Sequence, residues 1–128
     1  MAELRMPVWQ FVRLMVQVEE TLKTGKGRRK DPAVQDLYDA WDDIWLELDQ
    51  RLETLGRDDP DAFSELMMRQ DVVLTDLTAR RARTTASEVR KVVAAMRQRL
   101  KSEKDKQARE DLEFEIDELG DLLYDIEE

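Results

Sequence analysis

The stretch DPAVQDLYDAWDDIWLELDQRLETLG, Asp31 to Gly56, constrains this chain more than any other part of it. Asp31 can cap a helix N-terminus with its carboxylate, Pro32 suits a first helical position where no N–H is needed, and Gly56 offers a left-handed stop. Between them Val34, Leu37, Tyr38, Trp41, Ile44, Trp45, Leu48, Leu52 and Leu55 recur every three or four residues. That spacing places them on one stripe of a helix, with Asp36, Asp39, Asp43 and Glu47 on the opposite side. So long an apolar stripe, carrying two of the three tryptophans, faces a core or a partner.

The rest of the chain repeats this grammar. Pro7 opens a first helix to about residue 23 whose apolar positions, Val8 to Leu22, cover more than half of its circumference, so it needs neighbours on more than one side. Asp59 and Pro60 open a helix predicted over 60–83, with Phe63, Leu66, Met67, Val73, Leu74 and Leu77 on its stripe. From Asp61 to Leu119 there is neither glycine nor proline. Thr85 and Glu88 have capping-box spacing and the stripe changes phase there, so a fourth helix is expected over 87–102. One continuous helix from Pro60 past Leu100 is the alternative. A polar turn, in which Ser102 or Asp105 can act as a cap, leads to a last helix over 106–127, interrupted only by Gly120. The expected fold is all-α: a single-domain antiparallel bundle of four to five helices, which 128 residues suffice to close around one core.

Charge is segregated along the chain. The formal total of -9 resolves into +4 for residues 1–30, -11 for 31–79, +8 for 80–109 and -10 for 110–128. Helices of opposite sign are expected to lie together, or one block to meet an external partner. The apolar run from Val8 to Val18 is broken by Gln10, Arg13 and Gln17 and no small-residue cleavage site follows it. A cytoplasmic chain with no membrane association is therefore expected. The basic turn TGKGRRK, Thr24 to Lys30, lacks P-loop spacing and follows a helix rather than a strand, which favours a solvated turn over a nucleotide site.

The chain contains no histidine and no cysteine, and its serines are Ser64, Ser87 and Ser102 alone. Triad acyl transfer, thiol chemistry and imidazole or thiolate metal sites are thereby excluded. Carboxylate chemistry with a hard ion such as Mg²⁺ is what residue types still allow. Two groups have the spacing: Asp36, Asp39, Asp43 and Glu47, and the pair Glu118 and Asp121 in DELGDLL. The second resembles the ExxD part of the all-helical, MazG-like nucleoside triphosphate pyrophosphatases. That resemblance implies a Mg²⁺-dependent nucleotide pyrophosphohydrolase in which an ExxE on another helix completes the site. Here Glu110 and Glu113 have ExxE spacing but lie on the same predicted helix as Glu118, and Glu118 and Asp121 fall away from its apolar stripe. No catalytic, cofactor-binding or metal-binding residue is assigned, and no cofactor is expected.

The more distinctive feature is basic. Arg83, Arg90 and Arg97 recur every seven residues and Lys101 and Lys104 continue the face, a positive stripe about 30 Å long on a helix. No aromatic residue is interleaved for base stacking and the domain is acidic, which makes nucleic acid an unfavoured partner. Pairing with an acidic helix of the same chain, such as the second, or with an acidic protein is favoured instead. Phe114 and Tyr124 lie off the stripe of the last helix, where aromatic side chains can anchor an interface. The residues assigned to partner binding are Arg83, Arg90, Arg97, Lys101, Phe114 and Tyr124. The expected function is a non-enzymatic protein interaction module (adaptor, inhibitor or regulator), with a protein partner or itself as a dimer. The pyrophosphohydrolase and an acidic mimic of nucleic acid are the alternatives.

Overall fold

A computed structural model describes residues 3–24 and 31–127. Most of the basic turn, residues 25–30, lies outside the described residues. The order of elements is β1 (Glu3–Pro7), α1 (Val8–Thr24), α2 (Pro32–Asp58), α3 (Pro60–Arg69), β2 (Asp71–Thr75), α4 (Ala79–Ser102) and α5 (Lys106–Glu127). The chain is mostly helical, with one small two-stranded sheet that the sequence reading did not foresee.

Three expected helix boundaries are corrected. The helix expected over 60–83 ends at Arg69, and Asp71–Thr75 pairs antiparallel with Glu3–Pro7, Leu4 opposite Leu74 and Met6 opposite Val72. Leu4, Met6, Val72 and Leu74 are buried, while Glu3, Arg5, Asp71 and Thr75 are exposed, which is the period-two alternation of a half-buried strand. Val73 follows Val72 directly, and β-branched neighbours prefer the pleated backbone to a helix. After Thr75 the chain turns through Asp76, whose φ of 58° is left-handed, and Thr78 then caps α4 by accepting from the Arg81 N–H at 3.1 Å. The helix expected over 87–102 therefore starts eight residues earlier, at Ala79. Thr85 caps nothing: its hydroxyl donates to the Arg81 carbonyl at 2.8 Å inside the helix, and Glu88 is buried in the core. Pro7 is the last residue of β1 and the first helix follows it.

The punctuation of α2 largely holds. The Asp31 carboxylate accepts from the Ala33 N–H at 3.0 Å, and Val34, Leu37, Trp41, Trp45, Leu48 and Leu52 are its buried residues. The helix runs past Gly56 to Asp58. Asp59 serves both ends of the junction: its N–H donates to the Leu55 carbonyl at 2.8 Å, and its side chain accepts from the Ala62 N–H at 3.1 Å.

The buried apolar side chains form one cluster about α1, which packs against α2, α3, α4 and both strands. Phe11, Leu14, Met15 and Val18 of α1 are fully buried, and Phe11 meets the Trp45 ring edge-on at 6.3 Å between centroids. The several-sided burial expected of the first helix is thus observed. α5 packs chiefly against α4. Among the described residues no helix is long and apolar enough to cross a membrane.

Candidate interaction surface

α4 and α5 form a helical hairpin closed by Glu103–Asp105. The Arg109 guanidinium donates to the carbonyls of Leu100 at 2.8 Å and Glu103 at 2.9 Å, and Asp105 caps α5 by accepting from the Ala108 N–H at 2.9 Å. Arg90, from the middle of α4, pairs with Glu127 at the end of α5. The buried line of α5 is Leu112, Ile116, Leu119, Leu122 and Ile126, one side of the helix only.

α4 divides by side. Ala86, Val89, Val92, Val93 and Met96 point inward, while Arg83, Ser87, Arg90, Ala94, Arg97 and Lys101 are exposed along a second line. Eight of the 24 residues of α4 are Lys or Arg, and its one carboxylate, Glu88, is buried, so the helix has a net charge of +7 and its solvent side carries no acid. α5 is its counterpart: nine Asp or Glu against Lys106 and Arg109 give -7. Among the described residues the only salt bridge between these two helices is Arg90 to Glu127. The opposite charges of the hairpin thus project outward rather than towards each other.

The sequence-assigned residues fall into two groups. Arg83 and Arg90 line a cleft of about 580 Å³ together with Ala82, Ala86, Ile126 and Glu127, so the start of the basic stripe and the end of α5 share one side of the hairpin. Arg97 and Lys101 extend that line along α4, and Tyr124, one turn before Glu127, is 68% exposed beside it. Phe114 does not join them. Its ring lies 6.4 Å from that of Trp9, centroid to centroid, and so turns towards α1, where Arg13 also bridges to Glu115 at 3.1 Å. Phe114 is 50% exposed and stands near a separate groove of about 380 Å³ lined by Trp9, Val12, Val16, Met67 and Met96.

Pairing of the stripe with the acidic side of the second helix is not what forms. α2 reaches α4 through Arg81, whose guanidinium donates to both Asp36 oxygens at 3.0 and 3.3 Å and to the Asp76 carbonyl at 3.0 Å. Arg81 lies on the inner side of α4, away from Arg83, Arg90 and Arg97. Its hydrogen bonds hold the Asp36 carboxyl below the usual carboxylate range, against a smaller opposing effect of burial. Asp39, Asp43 and Glu47 are exposed. Glu118 is half-buried and Asp121 exposed, and among the described residues no group of three or more carboxylates could hold a metal ion.

Glu88 is the polar residue that the sequence reading misplaced. It is 1% exposed, its Oε2 lies 2.6 Å from Lys91 Nζ, and its Oε1 has no hydrogen-bond partner among the described residues. Lys91 Nζ also donates to Thr21 Oγ1 of α1 at 3.2 Å, so the pair ties α4 to α1. Its one legible sign in the sequence is its uniqueness as the only acid among the residues of α4.

Comparison with protein-family models, with curated proteins and with solved structures finds no match for this chain.

Proposed function

We propose that the protein is a non-enzymatic helical interaction module, an adaptor, inhibitor or regulator, whose α4–α5 hairpin is its binding element. The single observation behind this reading is the solvent side of α4: cationic from Arg83 to Lys101, about 27 Å, with no acid on it and one bridge at its border. Cations held in a row on a rigid helix attract an acidic surface over several ångströms and orient it. The remaining elements are read as an antiparallel bundle that holds this hairpin in place, one domain in all. A cytoplasmic setting is the simplest for a chain whose fold has no cysteine to oxidise.

An acidic protein surface fits the stripe better than nucleic acid does. A nucleic-acid backbone carries phosphates along its whole length and would set some of them against the adjoining helix of net charge -7, whereas a protein surface can place its acids over the stripe alone. No aromatic side chain lies between Arg83 and Lys101 to stack a base.

The test is affinity capture from an extract of the source organism with the wild-type chain and with Arg83→Glu/Arg90→Glu/Arg97→Glu side by side. Near-stoichiometric protein recovered by the first and lost from the second is the expected result. Recovery that is the same with both, or metal-dependent nucleotide hydrolysis by the purified wild-type chain, would overturn the reading.

A further inference from the structure

We infer that the surface of the α4–α5 hairpin is built to receive a second copy of itself, an inference that rests on the hairpin being the interaction element. The charges carry the argument. α4 is +7 and α5 is -7, and the whole span from Ala79 to Glu127 nets only -1, so the acidity of the chain lies elsewhere. A surface with a positive strip beside an equal negative strip is complementary to its own copy when a two-fold axis runs along the strips. Each α4 then lies over the α5 of the other copy. An axis across the strips would set like on like, so charge selects one of the two arrangements.

The same axis fixes the register. Rotation about a line parallel to the helices keeps every residue at its own height, so the pairing between copies follows the heights within one hairpin. The turn Glu103–Asp105 sets those heights: Leu100 is about level with Arg109, which puts Arg97 about level with Leu112 and Arg90 about level with Leu119 and Gly120. Gly120 is a second, independent observation. A glycine inside a helix costs about 1 kcal/mol relative to alanine, and no described atom stands within 4 Å of where its Cβ would be. Among the described residues nothing fills the notch it leaves. A facing helix that brings in a long side chain such as Arg90 would use it.

The size also suits a pair of chains. Helices of 24 and 22 residues side by side offer a face about 33 Å long and about 20 Å wide. Two such faces bury about 1,300 Å² in total, within the range of specific interfaces. The arginine and lysine stems and the Tyr124 ring supply apolar area beneath the charges.

Sedimentation velocity at micromolar protein tests this with three variants. The wild type is expected to be a dimer at low salt that dissociates as salt rises, because exposed pairs are screened. Arg83→Glu/Arg90→Glu/Arg97→Glu takes α4 from +7 to +1, and Glu113→Lys/Asp117→Lys/Asp121→Lys takes α5 from -7 to -1, so each removes most of the complementarity. Each alone should raise the dimer dissociation constant about 100-fold, since every reversal counts twice across a two-fold axis, while an equimolar mixture of the two should form a heterodimer. Gly120→Arg should weaken the dimer at least tenfold without loss of helicity, because its side chain meets open space in the single chain. A wild type that stays monomeric at every concentration, or a dimer that survives each of the three variants, would overturn the inference. A monomeric wild type whose stripe still captures another protein would leave the proposed function standing and remove only the second copy.

Discussion

α1 and α5 are both amphipathic helices, yet they are held in different ways. α1 is surrounded by two strands and three helices, and Val8, Trp9, Gln10, Phe11, Leu14, Met15 and Val18 are buried on several of its sides. α5 rests on α4 along a single line of five buried residues, touching α1 only at its edge. The comparison teaches where composition answers to folding. Almost any change around α1 meets a packed neighbour, whereas more than half the circumference of α5, and the outer line of α4 beside it, can vary without disturbing the core. A surface released in this way from the demands of folding, and still so strongly patterned in charge, is what the proposed role in association would explain.

The largest effects should mark the difference in packing. Phe11→Ala empties a fully buried site on α1 and should cost about 4 kcal/mol in urea unfolding, while Leu122→Ala on α5 should cost about 2 kcal/mol. Equal losses would mean that α5 is as deeply integrated as α1. Next comes the inner side of α4. Lys91→Ala leaves the Glu88 carboxylate buried without a counter-charge and should cost about 3 kcal/mol, whereas Glu88→Leu, which frees an exposed lysine, should stay within about 1 kcal/mol of the wild type. A greater loss in Glu88→Leu than in Lys91→Ala would show that the buried carboxylate has a further partner.

Hydrogen exchange sharpens the same contrast without mutation. Amides of α5 between Leu112 and Ile126 should open at a free energy a few kcal/mol below those of α1, because fewer buried contacts must break. Uniform protection of the two helices would erase the comparison. The smallest effect belongs to the Asp36–Arg81 bridge, part-exposed and worth about 0.5 kcal/mol after solvent screening. Because Arg81 lowers the folded-state pKa of Asp36, this contribution is complete above the ordinary carboxylate range and fades as pH falls through the depressed value. Asp36→Asn should therefore lower stability slightly at neutral pH and flatten its acid limb; an unchanged acid limb would assign that limb to other carboxylates.

Much of the fold was legible because its signals are local. Asp31, Pro32, Asp59 and Pro60 act through backbone N–H groups within three residues, and the stripe of α2 needs only the helical period. The sheet was hidden because it is not local. Met6 pairs with Val72 across 66 residues, and DVVLT is too short for its alternation to stand out against the three- and four-residue spacings from Phe63 to Leu66 and Met67 and from Val73 and Leu74 to Leu77. The buried Glu88 was read as a cap for the same reason: spacing showed Thr85 three residues before it, but not that α4 had already begun at Ala79. On the hairpin, the basic stripe was legible from its seven-residue period, and what lay beyond reach was that its neighbour is the acidic α5 rather than α2. Phe114 and Tyr124 share a helix, and only the position of α1 separates them.

The central claim is that the outer cations of α4 serve association and not folding. Urea unfolding of Arg83→Ala/Arg97→Ala/Lys101→Ala, at protein concentrations low enough that no partner is bound, tests it most directly. The account predicts a midpoint and slope indistinguishable from those of the wild type, together with loss of the captured protein. A loss of more than about 2 kcal/mol in the isolated chain would contradict it, because the stripe would then belong to the fold.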